Sequence, residues 1–269
     1  MTLLAGSCVA LAQETPGAGG APPAPPAASR DEVDRSTLRL FERFIQDAVE
    51  TPTWTEFRYR YDNLEDSTGH FISPILVTRI VPRFEAGIRF GFLNVNSETQ
   101  PDGSGLSDME IFLKFVPGSN RARRWGWGGV LKIPTGDEQE GLGTGRADLE
   151  LFGAWRLDAP AATLTANGAF RYTGSADTAA GETQHLFILG TGLIVPTSAR
   201  TATVLEIVYE TERFEGGVGE STSLTAGLQV TERRGRGGIR AAVGLPLTDG
   251  APDLTLMGSV YFAVGAGER

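Results

Sequence analysis

The two histidines are the first residues of this chain whose chemistry we considered, because each has a hydroxyl residue close by. Ser67 lies three positions before His70, and Thr183 lies two positions before His185. A hydroxyl activated by an imidazole, which a carboxylate orients in turn, is the arrangement that hydrolases use to attack esters. Nearness in sequence does not fix geometry, so we favour solvated residues at strand ends over a catalytic pair.

A glycine-rich stretch with acidic residues ahead of it is the second candidate for chemistry. Gly141-Leu-Gly-Thr-Gly145 has the composition of a phosphate-binding loop, but the Lys and the helix that such loops use do not follow it. Asp137, Glu138 and Glu140 would suit a divalent cation that bridges lipopolysaccharide. We interpret the stretch as an exposed turn in a solvated acidic loop. No catalytic residue, metal site or cofactor is predicted.

The largest set of charged residues alternates with apolar residues along strand-like runs. Both signs occur, so these side chains need water or each other. As candidate lumen-lining residues they are Arg58, Arg60, Arg89, Asp108, Glu110, Lys114, Lys132, Asp148, Glu150, Arg156, Arg171, Glu206 and Arg240. Lys132, Asp148, Glu150 and Arg171 come from three consecutive runs. They would form either a charged constriction or a network that stiffens a narrow barrel, and both interpretations stay open.

The runs that carry these charges alternate with period two, as β-strands do. Residues 147–157 place Leu149, Leu151 and Trp155 on one face and Asp148, Glu150 and Arg156 on the other, with Phe152 as an apolar exception on the charged face. In a soluble sheet the apolar face would be the core. In a transmembrane barrel it faces lipid, and the charged face lines the lumen.

About twelve such runs follow residue 53, most of them long enough to cross a bilayer as tilted strands. Short, mostly basic connections alternate with mostly longer, acidic ones, which is typical of an up-and-down outer-membrane barrel. No apolar run reaches the length of a transmembrane helix. The net charge of −9 opposes binding to the phosphate backbone, so no nucleic-acid partner is predicted.

The first fifty residues divide into three segments. We predict a signal peptide over residues 1–12 with cleavage after Ala12, and lipidation of Cys8 is the alternative. Residues 13–30 are rich in Gly, Ala and Pro and are predicted to be a disordered tether. Residues 31–50 carry apolar side chains at helical spacing and predict a short amphipathic helix. It would either plug the barrel mouth or lie on the domain, and we favour the second.

Several motifs are similar to those of one family. Residues 103–115, Leu131-Lys-Ile-Pro-Thr-Gly-Asp137, the glycine-rich stretch and Arg146-Ala-Asp148 resemble the outer-membrane transporters named after the meta-pathway of phenol degradation. The resemblance covers residues 53–264. It implies an outer-membrane barrel that passes hydrophobic or aromatic compounds.

We therefore predict an all-β protein: an antiparallel up-and-down transmembrane β-barrel of about twelve strands over residues 53–265, preceded by a short helix. The predicted location is the outer membrane of a Gram-negative cell, and the predicted partners are outer-membrane lipid, lipopolysaccharide and a small-molecule solute. The predicted function is a porin-like channel for passive passage of small compounds, without enzymatic activity. A lipid-modifying enzyme and a closed structural or binding barrel are the alternatives. The sequence predicts no oligomeric state.

Overall fold

The computed structural model describes residues 35–48, 53–98, 102–117, 122–174, 177–178, 181–182, 185–211, 219–232 and 236–264. Apart from one 3-10 helix, Arg35–Thr37, its regular elements are strands. They are β1 Thr53–Leu64, β2 Ser67–Val81, β3 Phe84–Arg89, β4 Phe92–Ser97, β5 Gly103–Leu106, β6 Met109–Phe115, β7 Arg123–Ile133, β8 Asp148–Asp158, β9 Thr163–Tyr172, β10 Asp177–Thr178, β11 Gly181–Glu182, β12 Leu186–Pro196, β13 Thr201–Glu210, β14 Ser221–Thr231, β15 Gly237–Pro246 and β16 Leu254–Val264.

The strands form one closed antiparallel barrel. Each barrel strand pairs with its neighbours in the chain, and β1 pairs with both β2 and β16, which closes the ring. β3 and β4 are one barrel strand interrupted at residues 90–91, and β5 and β6 are another, interrupted at residues 107–108. β10 and β11 form a separate small hairpin. The barrel thus has twelve strands, which confirms the predicted fold class.

The apolar faces of the strands point away from the lumen, as predicted. On β1, Phe57 is 54% exposed whereas its neighbour Glu56 is fully buried, and on β8, Leu151 is 58% exposed whereas Glu150 is 2% exposed. Every barrel strand carries at least one exposed large apolar side chain. An apolar band of this extent is not stable against water, so the surface is built to face hydrocarbon. Phe152, the exception on the charged face of β8, is buried against Gly128 of the neighbouring strand.

The two ends of the barrel differ in the length of their connections. At the end that we call the turn end, strands are joined by residues 82–83, 116–122, 159–162, 197–200 and 232–236. At the opposite end, the loop end, the connections include residues 134–147, 173–185 and 211–220. One connection at the loop end is an exception to this difference in length. Asn63 and Leu64 pair with Thr68 and Ser67, so only a two-residue turn joins β1 to β2.

The predicted amphipathic helix over residues 31–50 is wrong for the part of it that the structure describes. Residues 35–48, which we call the lumen segment, contain only the 3-10 turn at their start and lie inside the barrel rather than on it. Their backbone groups bond to side chains of the barrel wall instead of to each other along a helix. Charged Arg39 and Asp47 are buried together with apolar Leu38 and Phe41, so the segment lacks the polar, solvent-facing side of an amphipathic helix.

Some predictions concern residues outside the described ranges. The signal peptide over residues 1–12, with Cys8, and the tether over residues 13–30 are among them, as is Thr183. In the described part of the chain, no helix is long and apolar enough to cross a bilayer.

Candidate functional site

The thirteen charged residues singled out in the sequence all lie on the inner face of the wall. Period-two alternation places them there, because their strand neighbours carry the exposed apolar side chains. All except Glu206 form ion pairs with one another, with other wall residues or with the lumen segment. The lumen therefore contains a network of paired charges, which lies beside two clusters of buried apolar side chains.

The lumen segment enters and leaves this network at the turn end. Arg35 donates to the carbonyl oxygens of Ala159 and Pro160 in the turn between β8 and β9. Ala48, at the other end of the segment, lies beside Gly126 near the start of β7. Between them, Glu42 reaches Arg60, 2.6 Å away, toward the loop end. The segment thus forms a folded plug in the turn-end half of the lumen.

One carboxylate holds the tip of this plug by its backbone. Glu206 on β13 accepts hydrogen bonds from the amide nitrogens of Phe41 and Glu42, each 2.9 Å from Oε2, and from that of Arg43, 2.8 Å from Oε1. Three consecutive N–H groups that converge on one buried carboxylate form an anion-binding nest. These bonds also explain why residues 41–43 are not helical, since their N–H groups are already used.

Guanidinium groups of the wall bind the carbonyl groups of the plug. Arg156 donates to the carbonyl oxygens of Arg35 and Leu38, at 3.0 and 3.2 Å. Arg58 donates to that of Phe41 at 2.9 Å, and Arg240 binds those of Arg39 and Leu40. A guanidinium presents several N–H donors in a fixed plane, so each of these side chains also binds a carboxylate of the wall, Asp158 for Arg156 and Glu56 for Arg58 and Arg240.

Side chains of the plug complete the ion pairs of the wall. Asp47 pairs with Arg156 at 2.8 Å, and both side chains are fully buried. Arg43 lies 3.2 Å from Glu150, which also pairs with Arg171 at 2.7 Å and accepts a bond from Gln46 at 2.6 Å. Removing one member of such a buried group leaves an unpaired charge, so each contact couples the plug to the wall.

An aromatic cluster lies beneath the plug. The rings of Trp54 and Tyr261 stack with centroids 4.3 Å apart, and Phe44 of the plug lies 5.7 Å from Trp54. Gln229 bonds to the carbonyl of Thr37 at 2.7 Å and to the Tyr261 hydroxyl at 3.1 Å, which anchors the start of the plug to this cluster.

The four charged residues that the sequence places on three consecutive strands form a ladder across the wall, but this ladder is divided into two groups. Lys132 pairs with Asp148 at 2.6 Å and with Asp108 at 3.4 Å, whereas Arg171 pairs with Glu150. A cavity of about 350 Å³ in the loop-end half of the lumen is lined by Lys132, Asp108, Asp148 and Arg171 of these groups, together with Arg89 and Glu110. We call it the ladder cavity.

A second cavity lies beside it, over the tip of the plug. It has a volume of about 430 Å³ and is lined by Glu42, Arg60 and Asp62, by hydroxyl side chains of β14 and β16, and by Glu210, which also lines the ladder cavity. We call it the hydroxyl cavity. The loop-end half of the lumen thus contains polar space, whereas the turn-end half is filled by the plug.

The motif Pro134-Thr-Gly-Asp137 has a structural role next to the ladder cavity. β5 and β6 are interrupted at Ser107 and Asp108, and the Thr135 hydroxyl spans the gap: it accepts from the Met109 amide at 3.0 Å and donates to the Ser107 carbonyl at 2.9 Å. Asp108 accepts from the amides of Gly136 and Thr144, at 3.1 and 3.3 Å. The connection 134–147 is therefore held against the wall, with Leu142 buried in the ladder cavity.

The glycine-rich stretch is a set of turns, as interpreted. Gly141 and Gly145 adopt φ values of 69° and 65°, in the left-handed region that L side chains avoid. The carboxylate of Glu138 occupies the position that a Cβ on Gly145 would need.

The two histidines lie on the outer surface and not in the lumen. His70 Nδ1 is 2.8 Å from the Tyr59 hydroxyl, and the ring lies 5.0 Å from that of Tyr61. His185 contacts Tyr172 at 4.5 Å between centroids, and its Nδ1 is 3.3 Å from the Thr173 hydroxyl. Ser67 pairs with Leu64 of β1 and Ser97 of β4, and the bonded partner of His70 is Tyr59. The geometry therefore gives no support to a Ser67–His70 pair.

Sequence reasoning missed part of the site. An amphipathic helix over residues 31–50 would turn its charged residues, Glu42, Arg43 and Asp47 among them, to solvent, and the predicted lumen-lining residues do not include Gln229 or Thr225. Period two does place Gln229 and Thr225 on the inner face, with Arg240 opposite Gln229 on the next strand. No pattern in residues 35–48 indicates that they bind Glu150, Arg156 and Glu206, which lie more than a hundred residues away.

Comparison with known proteins shows the fold. No protein-family model and no curated protein sequence matches this chain. Its structure is similar to that of an outer-membrane channel from Pseudomonas putida F1, with 12% identity, 81% of this chain and 98% of that chain covered, and a TM-score of 0.66. The KdgM porin in complex with disordered oligogalacturonate has 9% identity, covers 78% and 99%, and has a TM-score of 0.55. The translocator domain of the autotransporter NalP from Neisseria meningitidis has 14% identity, covers 81% and 91%, and has a TM-score of 0.51.

Proposed function

We propose that this protein is an outer-membrane channel for passive passage of small solutes, and that its lumen segment closes the channel. The observation that carries the proposal is the plug itself: residues 35–48 fill the turn-end half of a closed barrel whose loop-end half contains polar cavities. The similarity to outer-membrane barrels and the apolar outer surface support the location.

The contacts of the plug support a removable closure rather than a permanent core. Its backbone and its charged side chains bind the wall through hydrogen bonds and ion pairs, which water can replace when the segment leaves. The wall charges that it now satisfies, such as Glu206, Arg156 and Arg240, would then line an aqueous lumen. A barrel filled only with apolar side chains would have no such open state with an aqueous lumen.

Single-channel recording in planar bilayers tests the proposal. We expect the full chain to give rare or small current steps, and a variant without residues 35–48 to give larger and more frequent ones, because the lumen is then open along its length. The matched control deletes residues 16–29, a stretch of the same length in the predicted tether, and should behave like the full chain. Faster migration of unboiled than of boiled protein in gels verifies that each barrel is folded.

A folded deletion variant without any discrete steps would contradict the proposal. It would support the second candidate function, a closed structural or binding barrel. That candidate is favoured by one observation: nearly all lumen charges are paired, as in a rigid filled interior.

The enzyme alternative lacks a comparable observation. A lipid-modifying role would use His70 or His185, whose bonded partners are Tyr59 and Thr173. Their replacement by alanine should leave the lipid profile of the outer membrane unchanged. The passage of hydrophobic or aromatic compounds, which the family resemblance implies, stays a prediction about the solute.

A further inference from the structure

The connection 134–147 does not project away from the barrel along its whole length. Residues 137–141 are exposed, but the next residue, Leu142, is only 4% exposed and lines the ladder cavity together with Thr144. Withdrawing a leucine side chain from water is favourable, so Leu142 stabilises the connection in this position. After its exposed part, the connection thus turns back into the loop-end half of the lumen.

The barrel wall leaves a recess for the side chain of Leu142. Leu106 on β5 is 63% exposed, so alternation places Gly103 and Gly105 on the lumen face of that strand. A Cβ on Gly105 would lie 2.7 Å from Cδ1 of Leu142. A Cβ on Gly103 would overlap the carbonyl oxygen of Glu140. Because both positions are glycine, the connection can lie directly on the inner face of β5.

Polar bonds hold the connection on both sides of this apolar contact. Asp108 accepts hydrogen bonds from the amides of Gly136 and Thr144, and Lys132 donates to the Thr144 hydroxyl at 2.6 Å. The Thr135 hydroxyl binds the wall at the interruption between β5 and β6. The connection is therefore attached to the wall before and after Leu142, and its inward position does not depend on one bond alone.

A solute that enters from the loop end meets this connection before it meets the charged ladder. The connection joins the loop ends of β7 and β8, and the ladder residues Lys132 and Asp148 lie at those strand ends. The connection and the ladder line the same cavity. The space that the connection occupies is thus taken from the path to the ladder cavity.

We propose that the connection 134–147 limits the size of the solutes that reach the ladder cavity, and that Leu142 holds it in this restricting position. The part of this inference that concerns transport rests on the channel function proposed above. The plug restricts the turn-end half of the lumen, and the connection restricts the loop-end half. A solute must pass both, and the size limit at the loop end depends on how often Leu142 leaves its recess.

Labelling of a cysteine in the ladder cavity tests this inference on the full chain. Ser107→Cys places a thiol in the lining of the cavity, and Cys8→Ser removes the one cysteine of the sequence. Two uncharged reagents are compared, N-ethylmaleimide and a maleimide that carries a polyethylene glycol chain. We expect the bulky reagent to react about tenfold more slowly, because it needs the connection to leave the wall. Equal rates for the two reagents would overturn the proposal.

Variants of Leu142 assign the restriction to this side chain. Leu142→Ala removes most of the apolar contact with the recess, so labelling by the bulky reagent should become about tenfold faster. Leu142→Met keeps an apolar side chain of similar volume and should label as slowly as the parent. Leu247→Ala is the matched control, because Leu247 lies in another loop-end connection and is 55% exposed. It should leave the rate unchanged.

The folded state of each variant is verified by faster migration of unboiled than of boiled protein. If folded Leu142→Ala labels no faster than Leu247→Ala, the proposal is overturned. The same conclusion follows if Leu142→Met labels as fast as Leu142→Ala, since the apolar contact would then not hold the connection.

Liposome swelling with uncharged sugars of increasing size measures the same limit during transport. Barrels without residues 35–48 are used, so that the plug does not set the limit. In this background Leu142→Ala should admit larger sugars than Leu247→Ala does, because the connection leaves the wall more often. Equal size limits in these two variants would overturn the part of the inference that concerns transport.

The two proposals fail in different experiments. If barrels without residues 35–48 give no current steps but labelling follows the pattern above, the channel function is wrong, and the connection still restricts access to the ladder cavity. If those barrels conduct, but Leu142→Ala changes neither labelling nor the size limit, the channel function stands and the restriction by the connection is wrong.

Discussion

Glu206 is the residue on which the closed state depends most directly. Its two carboxylate oxygens accept three backbone N–H groups from the tip of the plug. Glutamine offers one oxygen in place of two, so at least one of these N–H groups must lose its acceptor. A buried donor without a partner costs about 1–3 kcal/mol, enough to change the population of the closed state severalfold.

We therefore expect Glu206→Gln to open the channel more often than the wild type does in planar bilayers, with the size of the largest steps unchanged. Glu220→Gln is the matched control, because it removes a carboxylate at the exposed loop end that bonds to Tyr209. If Glu206→Gln opens no more often than Glu220→Gln, the hydrogen bonds to Glu206 do not hold the plug in place.

Single residues also show what can be predicted from the sequence alone and what cannot. Alternation along each strand places Glu56, Arg156 and Arg240 on the inner face, and the structure finds them there, buried. Which charges pair cannot be derived in this way. Arg240 pairs with Glu56 although 184 residues separate them, because closing the barrel brings β1 and β15 to either side of β16. That contact depends on the number of strands and on their register. The alternation of residues along a strand does not predict the register between β1 and β16, where the barrel closes.

At the scale of elements, the strands could be predicted and the lumen segment could not. A strand facing lipid and a lumen has two fixed environments, so its sequence alternates. The lumen segment has one environment on all sides, and its hydrogen bonds go to the wall. Leu38, Phe41 and Ile45 happen to fit the helical period, but the Arg and Glu side chains of the wall compete successfully for the backbone groups that a helix would need.

The connection 134–147 is an element whose position depends on one hydroxyl group. Thr135 closes the interruption between β5 and β6 by binding Met109 and Ser107. Thr135→Val keeps the shape of the side chain and removes both bonds. We expect the connection to separate from the wall more often, and cleavage by a glutamyl endopeptidase at Glu138 and Glu140 to become about tenfold faster, in line with the loss of one to two hydrogen bonds.

Limited proteolysis followed by mass spectrometry measures this rate. Thr78→Val, at an exposed position on the outer face of β2, is the control for the same replacement elsewhere. Equal cleavage rates in the two variants would mean that the hydroxyl does not hold the connection.

The whole molecule has opposite charges at its two ends. Described exposed residues at the turn end include Arg83, Arg123, Arg200 and Arg236, whereas the loop end is acidic. The sequence alone predicts this difference in charge, because basic and acidic connections alternate along the chain. What the sequence could not show is that the lumen is filled from the turn end and hollow at the loop end. That follows from the fold of residues 35–48, whose apolar spacing predicts a helix that the structure does not contain.

The central claim is that residues 35–48 close the lumen, and a reversible crosslink tests it most directly. A Cβ placed on Gly192 would lie 2.5 Å from Cδ2 of Leu40, so Leu40→Cys with Gly192→Cys puts two thiols at the site of that contact. Both replacements are introduced together with Glu206→Gln, which is expected to open the channel. Leu40→Cys with Glu206→Gln alone is the control for the effect of the oxidant.

The measurement is the single-channel current of this triple variant before and after reduction. The account predicts few or no steps while the disulfide holds the plug in place, and frequent steps after a reducing agent releases it, with no change in the control. Equal currents in the oxidised and reduced states, with the crosslink verified by mass spectrometry, would contradict the claim that the lumen segment closes this barrel.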